Sequence, residues 1–148
     1  MSASAHARRR AAATLLTGAA CGAIVLGLGG RLAMRVIALQ SGSPGILTPS
    51  GTTTVVLAGV ASGLGGALLH LVASAIARRI APGRPWVRRA LFGILLVLVT
   101  LRGLHPVQPL PLALFGPLVI LYAVVIEVAA ARREGLGRES RPPTVVAV

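Results

Sequence analysis

The chain has 148 residues, of which 55% are hydrophobic, and a mean hydropathy of +0.83. Charged residues make up 12%, whereas soluble domains carry about 25%, so too little polar surface remains to cover a soluble globule. The net charge of +12 is compatible with nucleic-acid binding, but that function favours a basic face interleaved with aromatics, which are 3% here. Composition and length therefore predict a single-domain integral membrane protein that binds no nucleic acid.

The N-terminal segment, residues 1–10, is polar and ends in three consecutive arginines, which predicts a basic cytoplasmic N-terminus. Residues 11–30 form an apolar stretch that is long enough to span the hydrocarbon core as a helix. A second stretch, RLAMRVIAL, follows at once. The first helix is therefore expected to end either near Gly30 or near Leu39.

Three more apolar runs follow, separated by turn-forming or basic residues. The predicted spans are 55–77, 86–104 and 112–131. The middle run is short and reaches spanning length only if it begins near Trp86, a residue type that anchors well at the membrane interface. Pro117 predicts either a kink in the last helix or a helix that starts just before it. Residues 132–148 are polar and contain proline, which predicts a disordered cytoplasmic tail.

The positions of the arginines predict the topology. If the N-terminus is cytoplasmic, twelve arginines lie in cytoplasmic segments and three lie outside, in agreement with the positive-inside rule. All fifteen basic residues are arginine, a bias typical of GC-rich genomes, so we expect a bacterial inner membrane. The predicted fold is all-α: a polytopic bundle with four spans over residues 11–131 and both termini in the cytoplasm.

Small residues predict how the first two helices pack. Lipid is as apolar as leucine, so helices associate in a bilayer by close packing, which needs small residues on one face. The candidate packing residues, at or near GxxxG spacing, are Gly18, Gly22, Gly59, Gly63 and Gly66. We expect the first and second helices to touch along these faces, although GC-rich codons also yield glycine without any packing role.

His70 and Glu127 are ionisable residues inside predicted spans, where such residues are costly and default to functional hypotheses. At ~1.5 Å of rise per residue, both lie ~22–24 Å below the outer membrane face. This shared depth allows a His70–Glu127 hydrogen bond, which could act as a proton-relay pair. The alternative is that Glu127 pairs with an arginine at the cytoplasmic rim, such as Arg10 or Arg89, while His70 bonds to neighbouring backbone or hydroxyl groups.

The chain has few residues that could carry out enzymatic chemistry. Only three acids are present, and Cys21 is the single cysteine, which excludes an intrachain disulfide and a multi-cysteine metal site. The sequence contains no HExxH, CxxC, nucleophile elbow or P-loop. We therefore expect no catalytic residue, no metal site, no cofactor and no enzyme activity.

Three arginines lie on the predicted outer side, against the general trend: Arg31, Arg35 and Arg102. The first two are four positions apart and share one helical face. In one interpretation each arginine reaches a lipid phosphate independently. In the other, the three guanidinium groups converge on one phosphate or carboxylate, which requires the first and third helices to be neighbours at their outer ends.

Two stretches, GGRLAMRVIAL and SGTTTVVLAGVASGLGGALLHLV, resemble an uncharacterised family of small four-helix membrane proteins of GC-rich bacteria. The likeness covers the first half of the chain, implies the architecture and carries no functional residues over. The Gly51-Thr52 pair also resembles the start of the second helix in small fluoride channels. This chain lacks their asparagine and their broken third helix, and its first helix lacks the glutamate of small multidrug exporters.

These observations predict a non-enzymatic structural or accessory membrane component. The expected partners are the lipid bilayer, anionic lipid, and a second copy or another membrane protein. The alternative is a small proton- or anion-linked transporter or channel that uses His70 and Glu127 or the outer arginines. A membrane enzyme acting on lipid would need a nucleophile and a base, and no such constellation is present.

Overall fold

The computed structural model describes residues 3–42, 48–103 and 109–139, and every regular element within them is helical. The elements are α1 (Ala3–Cys21), a π-helical segment (Gly22–Leu28), α2 (Gly29–Gln40), α3 (Pro49–Ile80), α4 (Pro85–Gly103) and α5 (Pro109–Glu139). The all-α prediction is confirmed. Three helical stretches are long and apolar enough to cross a membrane, which indicates a membrane protein: Ala7–Gln40, Pro49–Ile80 and Pro109–Arg133.

Local chemistry explains where these helices begin and end. Thr48 caps α3, because its side-chain oxygen accepts a hydrogen bond from the Gly51 amide at 3.3 Å. Pro49 follows at the first helical position, where its missing N–H costs nothing. Gly42, after α2, and Gly83, between α3 and α4, have φ values of 71° and 81°, a left-handed conformation that suits glycine.

The first helix, α3 and α5 are longer than the predicted spans, whereas α4 agrees with the predicted span 86–104 to within one residue at each end. The first helix passes through the π-helical segment and α2 without a break and ends at Gln40. The start of α3 is at Pro49 rather than residue 55, because the Thr48-Pro49 pair is a helix start and not part of the loop. The last helix begins at Pro109, so Pro117 lies in its interior, and it continues to Glu139 through part of the predicted tail. Residues 140–148 lie outside the described residues.

The helices pack as an antiparallel bundle. Gly18 lies against Gly63 and Gly27 lies against Val56, so the first helix and α3 run in opposite directions. The rings of His70 (α3) and Phe92 (α4) are in contact, and the end of α3 and the start of α4 line the same cavity. Helix α4 therefore turns back along α3. In turn α5 packs against α1 and α2.

The interior of the bundle is formed by a few large side chains among many small ones. Tyr122, Phe92 and Ile126 are at most 2% exposed, and they pack with Cys21 and Ala73. Large apolar side chains lie outside, on every helix. This distribution is typical of a bundle whose outer surface faces lipid rather than water.

Candidate functional site

Glycines allow the first helix and α3 to approach at backbone distance. A Cβ on Gly22 would lie 2.6 Å from the Cα of Gly63, and a Cβ on Gly18 would lie 2.6 Å from the carbonyl oxygen of Gly63. Real Cβ atoms do not come this close to backbone atoms. The predicted packing glycines Gly18, Gly22, Gly59 and Gly63 therefore all lie in the contact between these two helices.

The π-helical segment places Gly22 and Gly27 against the same residue of α3, Gly59. A Cβ on Gly59 would lie 2.6 Å from both the carbonyl oxygen of Gly22 and the Cα of Gly27. In an α-helix, residues five apart are rotated by about 140° from each other, so they do not share a face. The wider i→i+5 winding of a π-helix brings them together.

Tyr122 closes the contact between α3 and α5. Its hydroxyl donates a hydrogen bond to the carbonyl oxygen of Gly63 at 2.5 Å. Its ring lies over Gly66, where a Cβ would come within 2.6 Å of the ring atoms. Gly66, predicted to pack against the first helix, thus makes room for Tyr122 of α5. Sequence analysis did not single out Tyr122, although it is the single tyrosine of the chain and lies inside an apolar run.

A buried polar cluster joins α3, α4 and α5. The Nε2 atom of His70 lies 3.2 Å from one carboxylate oxygen of Glu127. The other oxygen accepts a hydrogen bond from the Arg88 guanidinium at 3.2 Å. His70 is 4% exposed, and its ring stacks edge-on against Phe92 with ring centroids 5.1 Å apart.

Both interpretations of Glu127 describe part of this cluster. The structure brings the predicted pair His70 and Glu127 together, and Glu127 also contacts two arginines at the start of α4. Arg88 makes the hydrogen bond, whereas the Arg89 Nε lies 3.7 Å away on a side chain that is 61% exposed. Arg10 lines a neighbouring cavity. Sequence analysis named Arg10 and Arg89 as examples of such a partner and did not name Arg88, because the rotation of α4 decides which of the two adjacent arginines faces Glu127.

The contacts in this cluster compensate the negative charge of Glu127. A buried carboxylate is stable when it is paired and hydrogen-bonded; one oxygen of Glu127 accepts the hydrogen bond from Arg88, and the other lies 3.2 Å from His70 Nε2. The same contacts tie three helices together at one depth. A histidine beside a carboxylate is also a chemically competent proton-transfer pair, so the geometry permits either a structural or a proton-handling role.

The three outer arginines differ in burial and in the helices around them. Arg31 is half-buried beside the start of α3, with its Nη2 3.3 Å from the position of a Cβ on Gly51. Arg35 and Arg102 are exposed. Arg35 lies on α2, which packs on α3 and α5, whereas Arg102 lies on α4, which packs on α3. The shared anion site at these three residues stays a prediction.

A basic cavity lies at the opposite end of the bundle. It has a volume of about 420 Å³ and is lined by residues of α1, α3, α4 and α5, among them Arg10, Arg78, Arg84, Arg88 and Arg133. His70 and Ser74 form its inner part. The cavity therefore begins at the polar cluster and continues to the ends of the helices, where the arginines lie.

Comparison with known proteins adds no relative. No protein-family model, no curated protein and no solved structure matches this chain. Function must accordingly be argued from the geometry of the bundle and its polar residues.

Proposed function

We propose that this chain is a non-enzymatic structural or accessory protein of a bacterial inner membrane, crossing the bilayer four times with both termini in the cytoplasm. The observation that carries the proposal is the closed interior of the bundle. Glycine contacts hold the first helix against α3 at backbone distance, and Tyr122, Phe92 and Ile126 fill the space beside them. Such packing suits a rigid helical unit better than a pathway for solutes.

The course of α4 supports the fourth crossing. Its first turns lie at the arginine-lined end, where Arg88 meets Glu127 in the second half of α5. The start of α5 lies toward the other end, because Phe115 and Leu118 contact Gly30 and Gly29 of α2. The residues between Gly103 and Pro109 bridge only ~20 Å, which favours an α4, ~28 Å long, that runs from the arginine-lined end toward the start of α5.

The lipid-facing surface of α4 supports the same conclusion. Ile94, Val97 and Leu98 are each more than half exposed, on a helix whose Phe92 is buried against the bundle. Trp86 is 61% exposed at the start of α4, where an aromatic side chain suits the membrane interface. A helix with one buried face and one broad apolar outer face is typical of a span at the edge of a bundle.

The proposal is tested by ion flux. Purified protein is reconstituted in liposomes that contain a pH-sensitive dye or a chloride indicator, and flux is measured after a pH jump or a chloride gradient. We expect flux equal to that of protein-free liposomes. Flux above that level would contradict the structural role and favour transport.

A proton-linked transporter is the second candidate, and the His70–Glu127 contact of 3.2 Å at the inner end of the basic cavity favours it. If flux is detected, Glu127→Gln should abolish it while the variant remains folded. Arg89→Gln is the matched control, because Arg89 is mostly exposed and lies at 3.7 Å from Glu127. An anion pathway through the outer arginines would instead lose flux in Arg31→Gln and Arg102→Gln.

A further inference from the structure

The arginine-lined cavity is built by four helices and by the turn between α3 and α4. Its five arginines come from α1 (Arg10), the end of α3 (Arg78), the turn before α4 (Arg84), the start of α4 (Arg88) and α5 (Arg133). Helix packing thus concentrates guanidinium groups around a volume of about 420 Å³, within the range of roughly 300–1,000 Å³ of small-ligand sites.

The chain cannot neutralise this cavity by itself. Five guanidinium groups line it, and the whole sequence has three acids. One of them, Glu127, is engaged by His70 and Arg88. Like charges held around one cavity repel each other unless anions from outside compensate them. The cavity therefore has a standing excess of positive charge that favours an anionic ligand.

Two of the arginines are held in place before any ligand arrives. Arg88 is fixed by its hydrogen bond to Glu127 and is 13% exposed at its side chain. Arg133 donates from one guanidinium nitrogen to the Thr14 hydroxyl at 3.5 Å and from another to the Thr17 hydroxyl. A guanidinium whose position is already fixed loses less entropy when it binds an anion.

The cavity also has depth. His70 lies eight residues before Arg78 on α3, which corresponds to about 12 Å along the helix axis. The buried His70 forms the inner part, and the more exposed Arg10, Arg78 and Arg84 surround the mouth. A compact anionic group can therefore enter among the arginines, with the substituent it carries extending out of the mouth.

We propose that this cavity binds a phosphate group, supplied either by the headgroup of an anionic phospholipid or by a soluble phosphate compound. Arginine is the side chain best suited to phosphate, because its planar fork donates two parallel hydrogen bonds. Basic pockets between membrane helices at the bilayer surface are suited to anionic headgroups. This site is separate from the outer arginines, and it does not depend on whether the bundle is structural or transports ions.

The sequence offers a matched control for the test. The lining variant replaces three exposed arginines of the mouth: Arg10→Gln, Arg78→Gln and Arg84→Gln. The control variant replaces exposed arginines that lie outside the described lining: Arg9→Gln, Arg79→Gln and Arg132→Gln. Both triple variants remove the same charge, and neither touches Arg88 or Glu127.

Binding is measured on full-length protein in neutral detergent micelles, where no anionic bilayer adds a general attraction. Native mass spectrometry counts bound phosphatidylglycerol, with diacylglycerol as the lipid that lacks phosphate. Thermal melting with and without inorganic phosphate tests the soluble source. We expect the lining variant to lose about 100-fold in apparent affinity, since each arginine near an anionic group contributes about fivefold. The control variant should lose only a few-fold.

The outcomes separate the sources and can overturn the site. Retention of phosphatidylglycerol by wild type and control, with loss in the lining variant, assigns a lipid headgroup. The same pattern with inorganic phosphate alone assigns a soluble phosphate compound. Equal losses in the two triple variants, or no binding of either probe to wild type, would overturn the site and leave only a diffuse basic end.

Discussion

Two glycines on α3 differ sharply in their surroundings although they are two positions apart. A Cβ on Gly63 would lie 2.7 Å from the Cα of Gly22, whereas nothing lies within 4 Å of a Cβ on Gly65. We predict that Gly63→Ala lowers the melting temperature in detergent, because the two helices must separate. Gly65→Ala should keep or raise it, since alanine favours a helix over glycine by about 1 kcal/mol.

A bulkier change at the same site makes the contrast larger. Gly63→Leu should destabilise the protein more than Leu64→Ala, because Leu64 is 36% exposed on the adjacent face of α3. Equal melting temperatures for the two alanine variants of Gly63 and Gly65 would mean that this glycine face is not an interface.

The Tyr122 hydroxyl gives a second prediction at the scale of one residue. Tyr122→Phe keeps the ring over Gly66 and removes the hydrogen bond to the Gly63 carbonyl. We expect a loss of about 1 kcal/mol, the net value of one hydrogen bond. Tyr122→Ala should lose about 3–5 kcal/mol because it also leaves a cavity. Reversible unfolding in mixed micelles compares the two, and a Phe variant as stable as wild type would contradict the role of the hydroxyl.

Helical spacing and the depth shared by His70 and Glu127 could be predicted from the sequence, whereas the partner of Tyr122 could not. The spacing of Gly18 and Gly22 follows from 3.6 residues per turn, so a shared face can be read directly from the sequence. The partner of Tyr122 lies 59 positions away. Which helix it meets depends on how each helix is rotated about its axis, and no local pattern specifies that rotation.

At the scale of elements, the contact of Arg88 with Glu127 links α4 to α5. We predict that Arg88→Gln destabilises the bundle by about 3 kcal/mol, because it leaves a largely buried carboxylate with one cationic partner fewer. The adjacent Arg89→Gln should cost under about 1 kcal/mol, since an exposed ion pair contributes little. Both are measured as shifts of the detergent melting curve. Equal shifts for the two would show that the hydrogen bond of Arg88 has no special weight.

The boundaries of the helices could not be predicted from hydropathy alone. Hydropathy measures how far an apolar run extends, but helices continue past it wherever capping and turn chemistry allow, as Thr48 and Pro49 do for α3. The π-helical winding of Gly22–Leu28 had no sequence signal of its own. It accompanies the close approach of Gly22 and Gly27 to Gly59, which is a tertiary contact.

At the scale of the whole molecule, the distribution of arginines in the sequence and the packing of the helices both indicate that one end of the bundle is strongly basic. The counting of arginines predicted one strongly basic side, and the bundle brings arginines from α1, α3, α4 and α5 around a single cavity at one end. The count could not predict that these side chains converge, because convergence requires the antiparallel order of the helices. It could not predict the contact of Arg88 with Glu127 either, since that contact depends on the rotation of α4.

The number of crossings is the last prediction, and α4 decides it. Reporter domains are fused at Gly42, at Gly83 and at the C-terminus; both glycines are exposed turn residues with positive φ. With four crossings, Gly42 should report the outer side, while Gly83 and the C-terminus both report the cytoplasm. If α4 instead lay along the membrane surface, the chain would cross three times. Gly83 and the C-terminus would then report opposite sides, which would contradict the four-span topology and the course of α4 through the bundle.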